Sequence, residues 1–384
     1  MRILLLVFIT WILAVTMTLH TIPSTYVTIN TTELIHPHTH PNTTPIHTHE
    51  HNTTLTDTTL PNPIGCNMFN LMKNARSLQD ATRWTYRNGI PVLTIQNCSL
   101  NSIDAKLARE CIATNSPNGI SLIGDSLTRY QYLNLAHFLT TGNWTSDPLT
   151  PNEREISHAS WTDFYRTTNA RMQGHEICDC SRETDDTIIE HRYFELDRVK
   201  LSYMQVFGAL QQILYHNTTM LNISSCHTGK CQQSLCNPGA CTPSTAASLG
   251  YITSPGVLSS LIQTHPSDDV FINAGHWWMS NQQNLFTQHK HLILSEANRS
   301  LNAKTTNRFH WKLTTASMAQ FQPEHQFASE LTRSGTFIGT YDTWTLTKTL
   351  DLKAHMWDHV HFQPAVYVGL NQALIAYICS MHTK

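Results

Sequence analysis

Four segments of the chain predict strands, and several of them are near-continuous apolar runs rich in Ile, Val and Phe. They are GISLIG (119–124), VKLSYMQVF (199–207), DVFINAG (269–275) and GTFIGTYDTWTL (335–346). Strands that are buried on both faces of a parallel sheet have such runs instead of strict alternation of apolar and polar residues. The pattern therefore predicts a sheet that is covered on both sides.

Three longer segments between or after these strands predict helices. They are LTRYQYLNLAHFL (127–139), NLFTQHKHLILSEANRSL (284–301) and VYVGLNQALIAYICSM (366–381). Strands that alternate with helices are typical of an α/β domain with a mainly parallel sheet. We find no internal repeat, and we predict a single α/β domain over residues 63–384.

The N-terminus carries Arg2 followed by an apolar run to Leu19, which predicts a signal peptide or a signal anchor over residues 1–20. A small-x-small cleavage site is poorly formed, which favours an uncleaved anchor. Residues 21–62 are rich in Thr, His and Pro and almost lack large apolar residues, so they cannot bury enough surface to fold. We predict a glycosylated stalk.

Histidines of this stalk alternate with Pro and Thr and could bind zinc or copper, although a polar tether without metal is the simpler interpretation. They are His36, His38, His40, His47, His49 and His51.

Asn-x-Ser/Thr sequons are dense along the chain and indicate the secretory pathway, where alone they are used. They begin at Asn30, Asn42, Asn52, Asn97, Asn143, Asn217, Asn222 and Asn298. Charged residues make up only 14% of the chain, the formal net charge is −2, and there is no long basic run. Nucleic acid is therefore not expected as a partner.

Ten cysteines, an even number, fit an oxidising compartment. A cluster recurs every five residues, at Cys226, Cys231, Cys236 and Cys241. Zinc sites usually contain closer pairs, so this spacing favours a disulfide-stapled loop over a zinc site. Cys178 and Cys180 lie too close in sequence for an easy mutual bridge, and each is expected to pair elsewhere.

The stretch LIGDSLTRYQ (122–131) puts Ser126 where a predicted strand ends and a helix begins. Ligands gather at the carboxyl ends of parallel strands, and a helix N-terminus offers unpaired backbone N–H groups. Gly124 would permit a sharp turn there. Ser126 is therefore either a nucleophile or an ordinary helix N-cap, a position that serine favours.

The block MWDHVHFQPAVY (356–367) carries Asp358 and His361, three residues apart, just before the last predicted helix. A serine hydroxyl needs a base to attack, and an aspartate can hold the basic imidazole in one tautomer. The chain order Ser, Asp, His is known among such triads. His355 and His359 are competing imidazoles in the same block.

The block FINAGHWW (271–278) ends another predicted strand. Asn273 has an amide that could donate to an oxyanion, and Gly275 allows close backbone approach. His276 could bind the substrate or brace Asn273. Trp277 and Trp278 either pack in the core or line a sugar site, since aromatic faces suit pyranose rings.

The blocks LIGDSLTRYQ, FINAGHWW and DHVHF resemble, in order and spacing, three blocks of the PC-esterase family. This GDSL/SGNH-like group includes the plant trichome-birefringence-like polysaccharide O-acetyltransferases. The resemblance runs from about Gly65 to the C-terminus. It implies an SGNH-hydrolase-like three-layer α/β/α fold with a central, mainly parallel sheet.

By position, the resemblance implies that Ser126 is the acyl-accepting nucleophile, His361 the general base and acid, and Asp358 the residue that orients His361. Asn273 matches the block that completes the oxyanion hole together with the Ser126 backbone N–H. A third donor in such enzymes is a glycine, for which Gly208 is a candidate.

Arg129 and Gln131 match the family pattern G-D-S-L-x-R-x-Q and would shape the pocket, although Arg129 could also be a plain surface residue. The chain departs from the plant members at several positions. It has Tyr130 where they usually carry Asn, Ala274 where they carry Thr, and His359 and Gln363 where they carry cysteines. The resemblance therefore does not extend to close membership in the plant branch.

The expected activity is glycan or polysaccharide O-acetyl transfer through an acyl-serine intermediate. No metal and no tightly bound cofactor are expected, and an acetyl donor such as acetyl-CoA would be the co-substrate. The alternatives are a glycan O-acetyl esterase and a non-catalytic glycan-binding ectodomain. The expected partners are a carbohydrate and a membrane, in a single-pass type II protein with its catalytic domain in the Golgi lumen, or else a secreted protein.

Overall fold

The computed structural model describes residues 65–144, 158–184, 187–205, 213–214, 251–252, 267–273, 275–278, 294, 298, 307–318 and 325–381. The predicted anchor (1–20), the stalk (21–62) and the cysteine cluster of residues 226–241 lie outside the described residues. So does all of the predicted helix 284–301 except residues 294 and 298.

The described chain contains both strands and helices, in places as runs of consecutive strands or helices. The strands are β1 (Thr82–Arg87), β2 (Ile90–Ile95), β3 (Ile120–Gly124), β4 (Glu176–Thr184), β5 (Thr187–Leu196), β6 (Val199–Gln205), β7 (Ile213–Leu214), β8 (Tyr251–Ile252), β9 (Asp269–Ile272), β10 (Arg308–Lys312) and β11 (Phe337–Tyr341). The helices are α1 (Met68–Leu71), α2 (Ala75–Ala81), α3 (Ala105–Asn115), α4 (Ser126–Thr141), α5 (Trp161–Ala170), α6 (His325–Arg333), α7 (Thr343–Thr347), α8 (Leu352–His355) and α9 (Pro364–Ser380). Two 3₁₀ turns cover Leu100–Ser102 and Gly275–Trp278.

A seven-stranded, mostly parallel sheet forms the centre of the domain, with the strand order β11-β10-β9-β3-β6-β5-β4. β11, β10, β9, β3 and β6 pair in parallel, whereas β5 and β4 extend one edge through antiparallel pairs. β3 lies between β6 and β9. After β3 the chain first forms the strands on the β6 side (β4, β5 and β6) and later those on the β9 side (β9, β10 and β11). The carboxyl end of β3 is therefore a topological switch point, where α/β sheets commonly bind ligands.

The prediction of an α/β fold with a mainly parallel central sheet is confirmed. The helices predicted at 127–139 and 366–381 are present as α4 and α9. The segment 335–346 is only partly a strand, because the Asp342 side chain accepts a hydrogen bond from Thr345 N (2.9 Å) and starts α7 there. The hairpin β1–β2 and the strands β4, β5 and β10 were not predicted. β10 (RFHWK) has a polar sequence, although Lys312 and His310 in it are buried.

The C-terminal helix α9 is buried on almost all sides, which explains why its sequence is apolar around its whole circumference. It packs along α4, where Asn371 Nδ2 donates to Gln131 O (3.0 Å) and to Asn134 Oδ1 (2.9 Å). Over the described ranges, no helix combines the length and the apolar character that a membrane span requires.

The described cysteines form three disulfides, Cys66–Cys98, Cys111–Cys379 and Cys178–Cys180. The expectation that Cys178 and Cys180 pair elsewhere is wrong. Residues two apart on a strand project from the same face, and in β4 their Cα atoms are 5.2 Å apart, which is within reach of a disulfide. Cys111–Cys379 joins α3 to the end of α9, so it fixes the C-terminal helix to the rest of the domain.

At the amino end of the sheet, the buried carboxylate of Asp269 accepts several hydrogen bonds. Its carboxylate accepts from Ser116 Oγ, from Arg308 Nε (2.9 Å) and Nη2 (2.6 Å), and from His310 Nε2 (2.8 Å). Burial lowers the pKa of His310, so the ring is neutral and its Nδ1 accepts from Tyr377 Oη (2.9 Å). Ser116, Asp269 and His310 are fully buried, so this cluster holds β9, β10 and α9 together and is closed to a substrate.

We expect Asp269→Asn to destabilise the domain by about 3 kcal/mol at pH 6, because it leaves buried donors without their charged acceptor. Burial alone would raise the pKa of Asp269, but His310 and Arg308 lower it to about 2. The value in the unfolded chain is about 3.9, so this stabilisation is complete above about pH 4 and is lost as the pH falls towards 2. Urea unfolding at pH 6 and pH 3 measures both effects.

Asp104→Asn is the matched control, because Asp104 caps the exposed start of α3 and asparagine caps equally well. A change in the free energy of unfolding of Asp269→Asn no larger than that of Asp104→Asn would contradict the role of the Asp269 cluster.

Candidate active site

Ser126 is the first residue of α4, directly beyond the carboxyl end of β3. The helix N-cap is Asp125, whose Oδ1 accepts from Leu127 N (3.1 Å), so the interpretation of Ser126 as the cap is wrong. Gly124 is needed for space, because a Cβ there would overlap Thr128 and lie 3.1 Å from the Asn273 Cβ. Ser126 is the single residue between positions 119 and 136 that is not buried; it is partly exposed.

Ser126, His361 and Asp358 form a continuous chain of hydrogen bonds. Ser126 Oγ is 2.7 Å from His361 Nε2, although the two residues are 235 positions apart in the sequence. His361 Nδ1 is 2.9 Å from Asp358 Oδ2. The other carboxylate oxygen, Oδ1, accepts from the backbone N–H groups of Val360 (2.7 Å) and His361 (2.8 Å).

The Asp358 carboxylate fixes which nitrogen of His361 carries the proton. Burial alone would raise the pKa of Asp358, but the hydrogen bonds from the ring and backbone of His361 and from Val360 N hold it well below its usual range. The ionised carboxylate accepts from Nδ1–H, which leaves Nε2 to accept from the Ser126 hydroxyl. A hydroxyl held in this way can give its proton to the imidazole as it attacks an electrophile.

Backbone hydrogen bonds within the loop before α9 hold His361 beside Ser126. Trp357 N donates to His361 O (2.7 Å), and Gln363 N donates to His355 O (3.0 Å). Tyr130, one turn along α4 from Ser126, packs edge-on against the His361 ring with centroids 5.6 Å apart. Of the competing imidazoles, His355 stacks on Tyr86 and His359 is exposed, so His361 is the one in contact with Ser126.

Asn273 follows β9 and is buried beside the start of α4. Its Nδ2 donates to Lys312 O (2.9 Å) and to Thr314 Oγ1 (3.1 Å), while its Oδ1 accepts from Thr128 Oγ1 (3.3 Å). Both amide hydrogens are therefore used inside the protein. The side chain would have to rotate before it could donate to an oxyanion, and that role stays a prediction.

Gly275 and His276 contact the carboxylate of Asp125. His276 N donates to Asp125 Oδ2 (3.0 Å), and Gly275 has a φ of +64°. Burial lowers the pKa of the His276 ring; Asp125 opposes this effect, whereas the neighbouring His361 adds to it. His276 therefore lies beside the hydrogen-bond chain of Ser126, His361 and Asp358. Gly208 and the side chain of Trp277 lie outside the described residues.

We expect Gly275→Ala to lower the free energy of unfolding by about 2–5 kcal/mol, through left-handed strain and overlap with the Asp125 carboxylate. Gly174→Ala is the control, because Gly174 also has a positive φ (+85°) but a Cβ there meets nothing within 4 Å. Gly174→Ala should lower the free energy of unfolding by the backbone strain alone, about 1–2 kcal/mol. Urea unfolding measures both, and equal costs would show that the contact between Gly275 and Asp125 is not tight.

Arg129 is buried (1% exposed), so the alternative of a plain surface residue is wrong. Its Nη1 is 3.4 Å from Glu190 Oε2, and its guanidinium lies 5.3 Å from the centre of the Trp161 ring. Glu190 also pairs with Arg192 (2.9 Å), which bonds to Glu176 (3.1 Å). Two buried arginines are thus balanced by two buried glutamates. This network joins helix α4, which begins at Ser126, to β4 and β5.

Gln131 and Lys312 complete the buried polar surroundings of α4. Gln131 Nε2 donates to Tyr341 Oη (3.3 Å), which places this side chain in the core and not in an open pocket. Lys312, which the sequence interpretation missed, is buried and its Nζ donates to Thr128 Oγ1 (3.0 Å). Its position at the carboxyl end of an otherwise buried strand could have indicated that Lys312 belongs to the site. β10 was not predicted as a strand, so this position was not recognised.

Among the predicted glycosylation sites, Asn97, Asn143 and Asn298 are exposed. Asn298 Oδ1 also accepts from Thr336 Oγ1 (3.0 Å). The other sequons lie outside the described residues, at Asn30, Asn42, Asn52, Asn217 and Asn222.

Within the part of the chain that the structure describes, no three His, Cys, Asp or Glu side chains gather as a metal site would require. Comparison of the chain with models of protein families, with curated proteins and with solved structures finds no match. The functional interpretation therefore depends on the geometry of the site and on the sequence blocks.

Proposed function

We propose that the protein is a serine-dependent acyltransferase that acetylates glycans, with Ser126 as nucleophile, His361 as base and acid, and Asp358 as the residue that orients His361. The observation that carries this proposal is the 2.7 Å contact between Ser126 Oγ and His361 Nε2, made by segments 235 residues apart. Two distant segments, one with the hydroxyl and one with the imidazole and the carboxylate, rarely bring these groups into line without a chemical role. The resemblance to the PC-esterase blocks supports an SGNH-like three-layer arrangement around the sheet.

The first half of the reaction transfers the acyl group to the protein. Ser126 Oγ attacks the acyl carbonyl carbon of the donor while its proton moves to His361 Nε2. The imidazolium that forms is stabilised by the ionised Asp358. When the tetrahedral intermediate collapses, His361 returns the proton to the leaving group, and an ester on Ser126 remains.

The second half repeats these steps with a sugar hydroxyl as attacking group. His361 accepts the hydroxyl proton as the sugar oxygen attacks the ester carbonyl, and then gives it to Ser126 Oγ as the product leaves. Ser126 opens α4, so the positive end of the helix dipole favours the oxyanion in both steps. Each well-placed donor, such as the Ser126 N–H or a rotated Asn273 amide, would contribute about 3 kcal/mol.

The proposed acceptor is a glycan in the secretory pathway. The predicted anchor, the stalk, the sequons and the disulfides among the described cysteines support a lumenal or external domain. Hydroxyl-rich substrates in that compartment are mainly glycans. We propose an acetyl donor such as acetyl-CoA as co-substrate, with no tightly bound cofactor.

Hydrolysis is the second candidate function, because the site is open to water. The Asp358 side chain is 38% exposed and that of His361 is 19% exposed, so water could reach an ester on Ser126. The same triad would then act as a glycan O-acetyl esterase.

The test uses the full chain with an acetyl donor and neutral oligosaccharides, followed by mass spectrometry of the sugars and measurement of free acetate. Acetylated sugar formed by the unmodified protein but not by Ser126→Ala supports transfer. Free acetate without acetylated sugar supports the esterase. Equal and negligible turnover by both proteins would contradict the proposal and favour a glycan-binding ectodomain.

A further inference from the structure

A cavity of about 330 Å³ lies between β2, the C-terminal end of α4 and one face of α9. Residues 365, 368, 369 and 372 of α9 line it at the spacing of one helical face. Its volume is at the small end of the usual range for ligand pockets, about 300–1,000 Å³, which suits a single sugar-sized ring. Its lining includes none of Ser126, His361 and Asp358.

The lining of this cavity is neutral, with polar groups of one kind. None of the described residues that line it carries a charge, whereas Asn101, Asn143 and Gln372 contribute carboxamides. Gln372 lines the cavity and is buried, so little of it is exposed to bulk water. Carboxamides both donate and accept hydrogen bonds, as the hydroxyl groups of a neutral sugar do.

An indole ring completes the lining. The Trp144 ring stacks on Phe138 with ring centres 3.6 Å apart and an interplanar angle of 3°. One face of the indole is therefore covered and its plane is fixed, and an indole that lines a cavity can stack on the apolar face of a pyranose ring. An aromatic platform beside carboxamides is a chemistry that matches sugars better than anions or lipid chains.

The wall of the cavity is held in place by the close approach of the β1–β2 hairpin to α9. A Cβ at Gly369 would lie 2.7 Å from the Leu93 Cβ and 2.9 Å from the Trp84 ring, so only glycine permits this packing. Trp84 Nε1 in turn donates to Leu346 O (2.7 Å), which anchors the hairpin. The cavity is thus formed before any ligand arrives, which lowers the entropic cost of binding.

We propose that this cavity is a second carbohydrate site, which binds one neutral sugar residue through Trp144, Asn101, Asn143 and Gln372. The sugar could belong to a free oligosaccharide or to an N-glycan on Asn143, since Asn143-Trp144-Thr145 is a sequon and Asn143 lines the cavity. The ligand chemistry is the same for both sources. The inference concerns binding and does not require Ser126 to be catalytic.

The test is saturation-transfer NMR of the full chain in mild detergent, titrated with N-acetylglucosamine and with its β1,4-linked dimer. We expect saturation transfer to the sugar from the unmodified protein or from its Thr145→Ala variant, which lacks the sequon but keeps the lining residues. Binding to both proteins identifies a site for free saccharide. Binding only after loss of the sequon identifies the Asn143 glycan as the occupant, which peptide mass spectrometry checks directly.

Trp144→Ala and Gln372→Leu, made in whichever protein binds, should each weaken the affinity about five- to tenfold, through loss of stacking and of a hydrogen bond. Tyr86→Ala is the control, because Tyr86 is an exposed aromatic residue of the same hairpin that does not line the cavity. No saturation transfer from either protein to either sugar would overturn the proposal. So would unchanged affinity in both cavity variants, and neither result depends on the reactivity of Ser126.

Discussion

Replacement of Ser126 by alanine is expected to lower the rate of acyl transfer or ester hydrolysis by at least about a thousandfold. The substitution removes the oxygen that would carry the acyl group and leaves His361 without its partner at 2.7 Å. The fold should be retained, because Asp125 and not Ser126 caps α4. The free energy of unfolding should therefore change by no more than about 0.5 kcal/mol.

Ser102→Ala is a matched control, since Ser102 is an exposed serine of a 3₁₀ turn that bonds only to the backbone of its own turn. Rates with an activated acetyl ester and urea unfolding of both variants provide the comparison. If Ser126→Ala kept the rate of the unmodified protein, Ser126 would not be the nucleophile.

Asp358→Asn is expected to lower the same rate by about 10³- to 10⁴-fold. An asparagine amide in this place would donate to His361 Nδ1, which would move the ring proton to Nε2. The imidazole could then no longer accept the proton of Ser126. His359→Ala should leave the rate unchanged, because His359 is exposed in the same loop and His361 is the imidazole that contacts Ser126.

The pH dependence of the unmodified protein tests the ionisation of Asp358. The folded pKa of Asp358 is below its unfolded value of about 3.9, so the stabilising Asp358–His361 pair is complete above about pH 4 and weakens only in stronger acid. Asp358 should therefore not titrate in the activity profile between about pH 5 and pH 8. A rate for Asp358→Asn within tenfold of the unmodified protein would show that Asp358 does not orient the base.

The sequence predicted the elements of the site better than their surroundings. Ser126, Asp358 and His361 lie in short blocks whose local geometry follows from a strand end, a helix start and an Asp-x-x-His spacing. Such features depend on neighbours in the sequence, so they could be found without the fold. Asp125 as the N-cap was missed because Ser and Asp are both favoured caps, and only the backbone position of the helix start distinguishes them.

The interactions that could not be predicted join distant segments. Arg129 is buried because Glu190 and the ring of Trp161 meet it from other elements, which no pattern around Arg129 reveals. The Asn273 amide is used by Lys312 and Thr314 of β10 and the segment after it, and β10 has a polar sequence that hides its burial. The disulfide Cys178–Cys180 required the knowledge that β4 is a strand.

The most direct test of the central claim is covalent trapping of the nucleophile with a fluorophosphonate probe, followed by peptide mass spectrometry. We expect a single modified serine, Ser126, in the unmodified protein, and little or no labelling of His361→Ala, because the hydroxyl then lacks its base. Labelling that is absent from the unmodified protein, or that is equally strong in His361→Ala, would contradict a triad of Ser126, His361 and Asp358.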